Sequence, residues 1–441
     1  MSDYMYMLES HLNPDQNRVV EEVQAAAGDA GVNLFLTGGA MRDMLAGFPI
    51  RDLDFVVEGN ALKVAKAVCD RTGARILHAD EHRKCAELEF PSGVTAQIAM
   101  SRQEKPGRAG AKPSVSAATI QEDLRGRDFT CNAIALSLNR ASRGLLLDPM
   151  SGLADIERHE LRSVSTYGFY DDPSRLLRMV RLGVRMGFNV EDRTRMQIAN
   201  AREAEVDQRI PARAFSDELR KISSEDRPAI VLQALTEAGL LERFNPALVA
   251  KANTAGLARL EKCLALVPDD TRWRSARLGV FLYALTEKMS PKEKSSLIKS
   301  TEMPKADVNE WQKLEARAKK LESALKSARI KKPSHVYQAV SGAAPDEILF
   351  VLYHSALKPV QERLKNYFTR YLQQVAEITP EEFAAIPVKP GTPKYAKARE
   401  EFICQRLDRR PKKPAEPAAT TPPEPAPAPP AGPGRRGRPV Q

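Results

Sequence analysis

One stretch, Leu34 to Val57, constrains this chain more than any other. A short apolar strand runs into Gly38-Gly39, and a short helix follows from about Ala40 to Leu45. A turn at Gly47-Phe48-Pro49 then leads to a second strand carrying Asp52 and Asp54. Two adjacent glycines let the backbone approach a ligand closely, and a helix start behind them offers unpaired N–H groups and a partial positive charge to an anion. Arg42 adds a permanently charged, bidentate fork for the same anion. Residues i and i+2 of a strand share a face, so Asp52 and Asp54 aim their carboxylates at one point. Paired oxygen ligands at that separation suit Mg²⁺, which keeps several waters and is completed by substrate phosphates.

Taken singly, a Gly-Gly turn is commonly only a turn, and Asp-x-Asp commonly closes a strand into solvent. Their succession within about two dozen residues points to phosphate chemistry. It resembles the signature of the nucleotidyltransferase superfamily, in particular the class II tRNA nucleotidyltransferase (CCA-adding enzyme) and bacterial poly(A) polymerase family. That resemblance implies an α+β head, a nucleotidyltransferase-type mixed sheet with flanking helices, followed by an all-α neck, body and tail.

The chain's 441 residues are enough for two or three domains with a sizeable core. A net charge of +10 favours a polyanionic partner. Five cysteines are dispersed without a CxxC pair, which argues for a reducing compartment and against disulfides or a zinc site. Met1 to Leu12 lacks a basic start followed by an apolar run, so no signal peptide is expected. No apolar stretch has transmembrane length. The expectation is a cytoplasmic, soluble protein with no membrane partner.

Along the chain, spacing predicts helices over 13–29 and 61–71, and strands at 74–77, 85–90 and 94–100, with Pro91-Ser92-Gly93 as a hairpin turn. His78 and His82 flank two carboxylates, and the expectation there is a surface turn rather than a metal site. Residues 102–118 read either as an exposed loop with solvated charges or as a mobile basic loop beside the site. From Phe129 the pattern is read as a helix sending Ile134, Leu136 and Leu138 to the core. On that helix Asp128 and Asn132, four apart, would share a face and hydrogen-bond a ribose while Arg127 holds a phosphate. The same stretch resembles the family pattern Asp-Leu-x-Arg-Arg-Asp-Phe-Thr-x-Asn-Ala, with Gly126 in place of the first arginine of its pair. Leu145 to Asp155 resembles the next family motif, and Asp148 and Asp155 are expected to fix a joint rather than touch substrate.

A third informative stretch is Phe169 to Phe188. Pro173 suits the first turn of a helix with Asp172 as N-cap. Arg175, Arg178, Arg181 and Arg185 would line one face, and Leu177, Val180 and Val184 the core side. The family equivalent is Glu-Asp-x-x-Arg, which implies that Asp172 and Arg175 recognise the incoming base, with Asp171 standing where the family has Glu. A carboxylate accepting from an exocyclic amino group and an arginine donating to the ring nitrogen serve both cytosine and adenine. Uracil and guanine present the opposite order.

Beyond residue 190 helices are predicted at 210–222, 229–244, 251–266, 275–285, 308–328 and 345–375, with a basic run at 313–332. The predicted division is a catalytic head over 1–165, a helical neck over 166–246, a helical body over 247–408 holding the tRNA acceptor arm, and a disordered Pro/Ala-rich basic tail over 409–441. The resemblance implies template-independent addition of C and A to the 3′ end of tRNA from CTP and ATP, with release of pyrophosphate. In that scheme Asp52 and Asp54 hold two Mg²⁺ ions, and Gly38, Gly39 and Arg42 cradle the triphosphate. Arg127, Asp128 and Asn132 bind ribose and phosphates, and Arg178 and Arg181 meet RNA phosphates. Gln97 stands where the superfamily often has a third carboxylate, with Glu87 and Glu89 on a neighbouring strand as substitutes. Three alternatives stay open: a poly(A) polymerase, a partial CC- or A-adding enzyme, and a non-catalytic RNA-binding protein.

Overall fold

The computed structural model describes residues 3–105 and 113–409; the predicted tail beyond Arg409 and the centre of the 102–118 segment lie outside the described residues. Helix α1 (Asp3–His11), which periodicity missed, precedes α2 (Pro14–Asp29). A capping box, with Asn13 and Gln16 exchanging backbone and side-chain bonds, starts α2. The central stretch then gives β1 (Asn33–Thr37), α3 (Gly38–Leu45) and β2 (Leu53–Glu58). Next come α4 (Ala61–Thr72), β3 (Arg75–Asp80), β4 (Cys85–Glu89) and β5 (Thr95–Met100). Asp52 falls one residue before β2 rather than within it.

The segment expected to be a loop forms a ribbon instead, with β6 (Arg102–Lys105) and β7 (Ser114–Ala117) paired antiparallel. Mostly polar, partly exposed side chains on both strands hid it, because neither strand has an apolar face. A second correction concerns 129–138. Helix α5 (Ile120–Arg125) ends before it, Thr130–Asn132 is a single 3₁₀ turn, and β8 (Ala135–Ser137) follows. Ile134, Leu136 and Leu138 recur every second residue, the strand period; Ala133 and Ala135 are buried on the opposite face, so no polar alternation marked the strand. β9 (Leu146–Leu147) closes a seven-stranded sheet of order β3-β4-β5-β2-β1-β8-β9, in which β2–β5 is parallel and the other pairs antiparallel.

The two faces of this sheet differ, and the difference places the site. One face sends Leu34, Leu36, Phe55, Val57, Leu88 and Ile98 into the main core with Val19, Val23, Val64 and Val68 of α2 and α4. The other has a small apolar cluster of Phe35, Val56, Ala133 and Ala135 beneath Ile120 and Leu124 of α5. On this second face Thr37, Asp54, Gln97 and Glu87 stand in register across β1, β2, β5 and β4. The apolar half anchors α5; the polar half is open.

Helix α6 (Gly152–Glu157) begins where the Asp148 carboxylate accepts from the N–H groups of Gly152 and Leu153, at 2.7 and 3.0 Å. Gly152 lies so close to the Thr130 carbonyl that a Cβ would sit 2.1 Å from its oxygen. Buried Asp155 accepts from Thr130 Oγ1 and Arg162 Nε, so both aspartates fix a joint, as the sequence predicts. Then follow α7 (Gly168–Asp171), α8 (Arg175–Met186), α9 (Asp192–Glu203), α10 (Ala212–Ser223) and α11 (Pro228–Glu237). The helix predicted to reach residue 244 stops at Glu237 because Gly239 turns left-handed, with φ +65°.

The remainder is helical, including Thr254–Leu264, Arg277–Thr286, Lys305–Lys326 and Pro345–His354, around buried Trp273, Phe281 and Tyr367. The single helix expected over 345–375 is broken after His354 and restarts at Lys358–Asn366, because Pro359 in its first turn lacks an N–H and restrains the residue before it. One compact unit extends to Gln373 and a second begins at Gln374. In the second unit, Pro380–Ala384 and Pro393–Asp408 are joined by an Arg406–Glu382 ion pair of 3.2 Å and by Arg399 over the Phe383 ring. Among the described residues no helix is long and apolar enough to cross a membrane.

Candidate active site

A cleft of about 2220 Å³ opens over the polar half of the sheet; its walls include Gly38, Gly39, Asp52, Asp54, Arg127, Asp172 and Arg175. At its floor β1 turns into α3 through Gly38, whose φ is +66°. A Cβ on Gly38 would lie 3.1 Å from Asp54 Oδ2, and one on Gly39 3.6 Å from the same oxygen. The two glycines are therefore what allows the Asp54 carboxylate to lie against the helix start. Burial pushes the Asp54 carboxyl up to about 6 and the neighbouring Asp52 charge adds to this, while Arg127, the Gly39 N–H and Arg42 pull the other way. Asp52 is exposed. This is the electrostatics of a carboxylate pair short of positive charge, which a divalent cation would supply.

The chemistry of the donors fits such a cation. Asp52 and Asp54 are hard oxygen ligands, and Gln97, in register with Asp54, adds a neutral amide oxygen on the same face. Glu87 pairs with Gln97 one strand further out. Among the described residues no group of three or more His, Cys, Asp or Glu forms a metal cluster. At His78–His82 the Asp80 carboxylate accepts from the N–H groups of His82 and Arg83, a local turn.

The wall above the carboxylates is an ion-pair lattice. Arg127 binds Asp123 through Nε at 2.8 Å and Nη2 at 2.7 Å, which aims Nη1 at Gly38, 3.8 Å from where its Cβ would be. Asp128 accepts from Arg178 Nη1 (2.5 Å), Asn132 Nδ2 (2.9 Å) and the Phe129 N–H (2.7 Å). The Arg178 charge and these bonds hold its carboxyl, against the effect of burial, far below the usual range. Asn132 Oδ1 accepts from Arg42 Nη1 at 2.7 Å, and Arg42 gives Nε and Nη2 to Asp43. Asp128 and Asn132 thus meet across a 3₁₀ turn, not along a helix, and their polar atoms face one another. Arg42, only 6% exposed, stands beside Gly39 with its donors committed to Asp43 and Asn132.

Helix α8 divides its arginines. Arg181 is buried between Glu218 and Glu225 of the α10 region, at 2.5 and 2.7 Å, and Arg185 binds Asp43. Neither presents its charge as an outer RNA-binding face would; Arg178 is half-exposed but spent on Asp128. The core face takes in the predicted Leu177, with Val180 and Val184 partly buried against it, but extends to Leu176, Met179, Leu182 and Met186, and acidic partners draw Arg181 inward as well. The helix starts at Arg175 with Ser174 as its cap; Asp172 precedes it and accepts from the N–H and Oγ of Ser174 through Oδ1 alone. Its Oδ2 lies 3.9 Å from Arg175 Nε, a buried nitrogen without a hydrogen-bond partner. Asp171 is exposed at the end of α7.

Sequence reasoning passed over Asp43, Asp123, Glu218 and Glu225. The Asp123–Arg127 spacing of four was a legible signal; for Glu225, which meets residues more than 40 positions away, there was none.

Residues 34–162 match the family described as the poly A polymerase head domain. An A-adding tRNA nucleotidyltransferase of Geobacter sulfurreducens is 25% identical over 421 residues, covering 92% of this chain and 47% of the relative. A second A-adding tRNA nucleotidyltransferase, from Halalkalibacterium halodurans, is 36% identical over 194 residues, 44% of this chain and 45% of the relative. The chain spans about half the length of these curated relatives. Among solved structures, an apo CCA-adding enzyme superposes with a TM-score of 0.53 at 23% identity, covering 94% of this chain and 96% of that one, which shows the fold. Residues 34–162 thus match the poly A polymerase head-domain family, and the chain as a whole has the fold of a CCA-adding enzyme, in line with the class II tRNA nucleotidyltransferase resemblance of its motifs.

Proposed function

We propose that this protein adds C and A to the 3′ end of tRNA without a nucleic-acid template, consuming CTP and ATP and releasing pyrophosphate. The observation that carries this reading is the coexistence, in one cleft, of a charge-deficient Asp52–Asp54 pair and an under-bonded Asp172–Arg175 pair. Mg²⁺ held by Asp52 and Asp54 would acidify the RNA 3′-hydroxyl and neutralise the leaving pyrophosphate. The Gly38–Gly39 turn and Arg127 Nη1, which lies beside it, would border the triphosphate. Arg42, Asp128 and Asn132 keep that wall rigid. Asp172 Oδ2 and Arg175 Nε offer an acceptor beside a donor, the order that cytosine and adenine match and that uracil and guanine oppose. A buried mismatch there leaves polar groups unpaired, which is costly.

In this reading 1–165 is the catalytic head, 166–246 the neck and 247–408 the body that holds the acceptor arm by shape and phosphates. Five free cysteines accord with a cytoplasmic protein. The names of both curated relatives favour one second reading, addition of A alone. Three tRNA transcripts, ending before the first C, after both Cs and after CCA, incubated with Mg²⁺ and labelled CTP or ATP, decide the matter. Addition from each incomplete end that stops at CCA is the expected result. Extension only of the CC-ended transcript establishes an A-adding enzyme, and long A tails on any RNA a poly(A) polymerase. No addition, with Asp52→Ala/Asp54→Ala behaving identically, leaves RNA binding alone.

A further inference from the structure

Asp52 is carried by a segment without regular structure, residues 48–52, between α3 and β2. The Phe48 N–H donates to the Asp43 carbonyl at 2.8 Å, and three further contacts pin that segment. The Ile50 carbonyl accepts from Gln16 Nε2 at 3.0 Å, and Leu53 is buried at the start of β2. Between them Arg51 reaches across to the end of α10, where Nη1 meets Glu225 Oε2 at 2.9 Å and Nη2 meets Asp226 Oδ2 at 2.8 Å. The Arg51 side chain is 13% exposed and that of Glu225 5%, so the Glu225 arm of this fork is desolvated and its geometry stringent, while the Asp226 arm lies in solvent. Glu225 is also where Arg181 (2.7 Å) and Arg185 (3.8 Å) converge, and Arg185 continues to Asp43 behind the Gly38–Gly39 turn. One buried carboxylate thereby ties together the base-reading helix α8, the glycine turn and the residue next to Asp52.

We propose that Arg51, clamped by Glu225 and Asp226, is a positioning residue that aims Asp52. The inference rests on the reading of Asp52 and Asp54 as the metal-holding pair. A single peptide unit separates the clamped residue from the carboxylate-bearing one. Releasing the clamp therefore frees the dihedral angles that set the Asp52 direction, while Asp54 stays fixed in the sheet. Groups that hold a metal-binding residue in place commonly affect metal affinity or activity by about tenfold to a hundredfold.

Arg51→Met and Arg51→Lys test it. Both leave Arg181 and Arg185 on Glu225, so the buried carboxylate keeps partners and the chain folds. Mn²⁺ binding with nucleotide and RNA both absent, followed by loss of the free-ion EPR signal, reads the site without turnover. In Arg51→Met the half-saturating Mn²⁺ concentration is expected to rise roughly tenfold and kcat to fall about tenfold to a hundredfold, with KM for ATP within about twofold. Arg51→Lys, a single point charge able to meet only one of the two carboxylates, is expected to fall between. If Arg51→Met lowers only the melting temperature and leaves Mn²⁺ affinity and kcat unchanged, Arg51 is a stability contact and the proposal is overturned. A wild type that adds no nucleotide removes the functional reading, yet the Mn²⁺ comparison still decides whether Arg51 places Asp52. A wild type that binds no Mn²⁺ overturns both.

Discussion

Two sets of charged residues line the cleft, and they are opposites. On the floor, Asp52 and Asp54 share too little positive charge, and nearby Arg175 keeps a buried nitrogen without a partner. On the wall, Asp128, Arg178, Asn132, Arg42, Asp43, Arg185, Glu225 and Arg181 form a nearly saturated chain of bonds. Saturation marks what holds the site, and deficiency marks what it holds. Both sets are built from the same residue types in the same motifs, so residue type alone does not separate them.

The largest expected effect separates them outright. Asp54→Asn is expected to lower kcat by roughly a thousandfold or more, yet to leave the melting temperature at pH 7.5 unchanged or higher. The reason is that the folded protein disfavours the Asp54 charge which the amide removes. Arg181→Met is the converse. It strands Glu218 as a buried charge and takes one of three arginines from Glu225, and denaturant unfolding is expected to show a loss of about 3–5 kcal/mol. If the Asp54 variant is the less stable of the two, the division between floor and wall fails.

Asp172→Asn keeps the oxygen that caps Ser174 but can put an amide donor where the acceptor stood. Discrimination for C and A over U and G, measured as ratios of kcat/KM, is expected to relax by about tenfold to a hundredfold, ~1–3 kcal/mol, with little change in stability. Unchanged discrimination would move base reading elsewhere in the cleft.

The smallest effect is a pair of opposite pH slopes. The folded-state pKa of Asp54 is raised from 3.8 to about 6, so its contribution to stability is full below pH 3.8 and lost as pH rises through about 6. That of Asp128 is depressed, so its contribution is present above the unfolded value of 3.8 and lost as pH falls below it. In chelator-treated protein the melting-temperature advantage of Asp54→Asn over wild type is expected to be near zero at pH 4 and to grow up to pH 6. Added Mn²⁺ is expected to shrink it, because the cation favours the ionised pair.

Much of this was legible in the chain. The Gly38–Gly39 turn, the Asp-x-Asp pair, the Pro91-Ser92-Gly93 hairpin and the Asp172–Arg175 juxtaposition follow from local spacing, and the structure has each of them. The segment from Phe129 was misread because a strand buried on both faces shows no polar alternation, and a 3₁₀ turn at its head imitates a helix start. The β6–β7 ribbon was missed for the opposite reason, since polar strands carry no apolar period. Helix ends at Glu237 and His354 were written in Gly239 and Pro359, and were passed over in favour of continued periodicity.

The sequence by itself determined which residues could do chemistry here, because two glycines, two aspartates and an arginine fork at fixed spacing restrict the backbone and the ligand together. Only the tertiary structure decided which arginines remain available. A guanidinium's role depends on the carboxylate that reaches it, and those partners lie far away in sequence: Asp128 for Arg178, Asp43 for Arg185, Glu225 for Arg51. Pairing at such separations is set by how helices pack against the sheet. No local pattern records it.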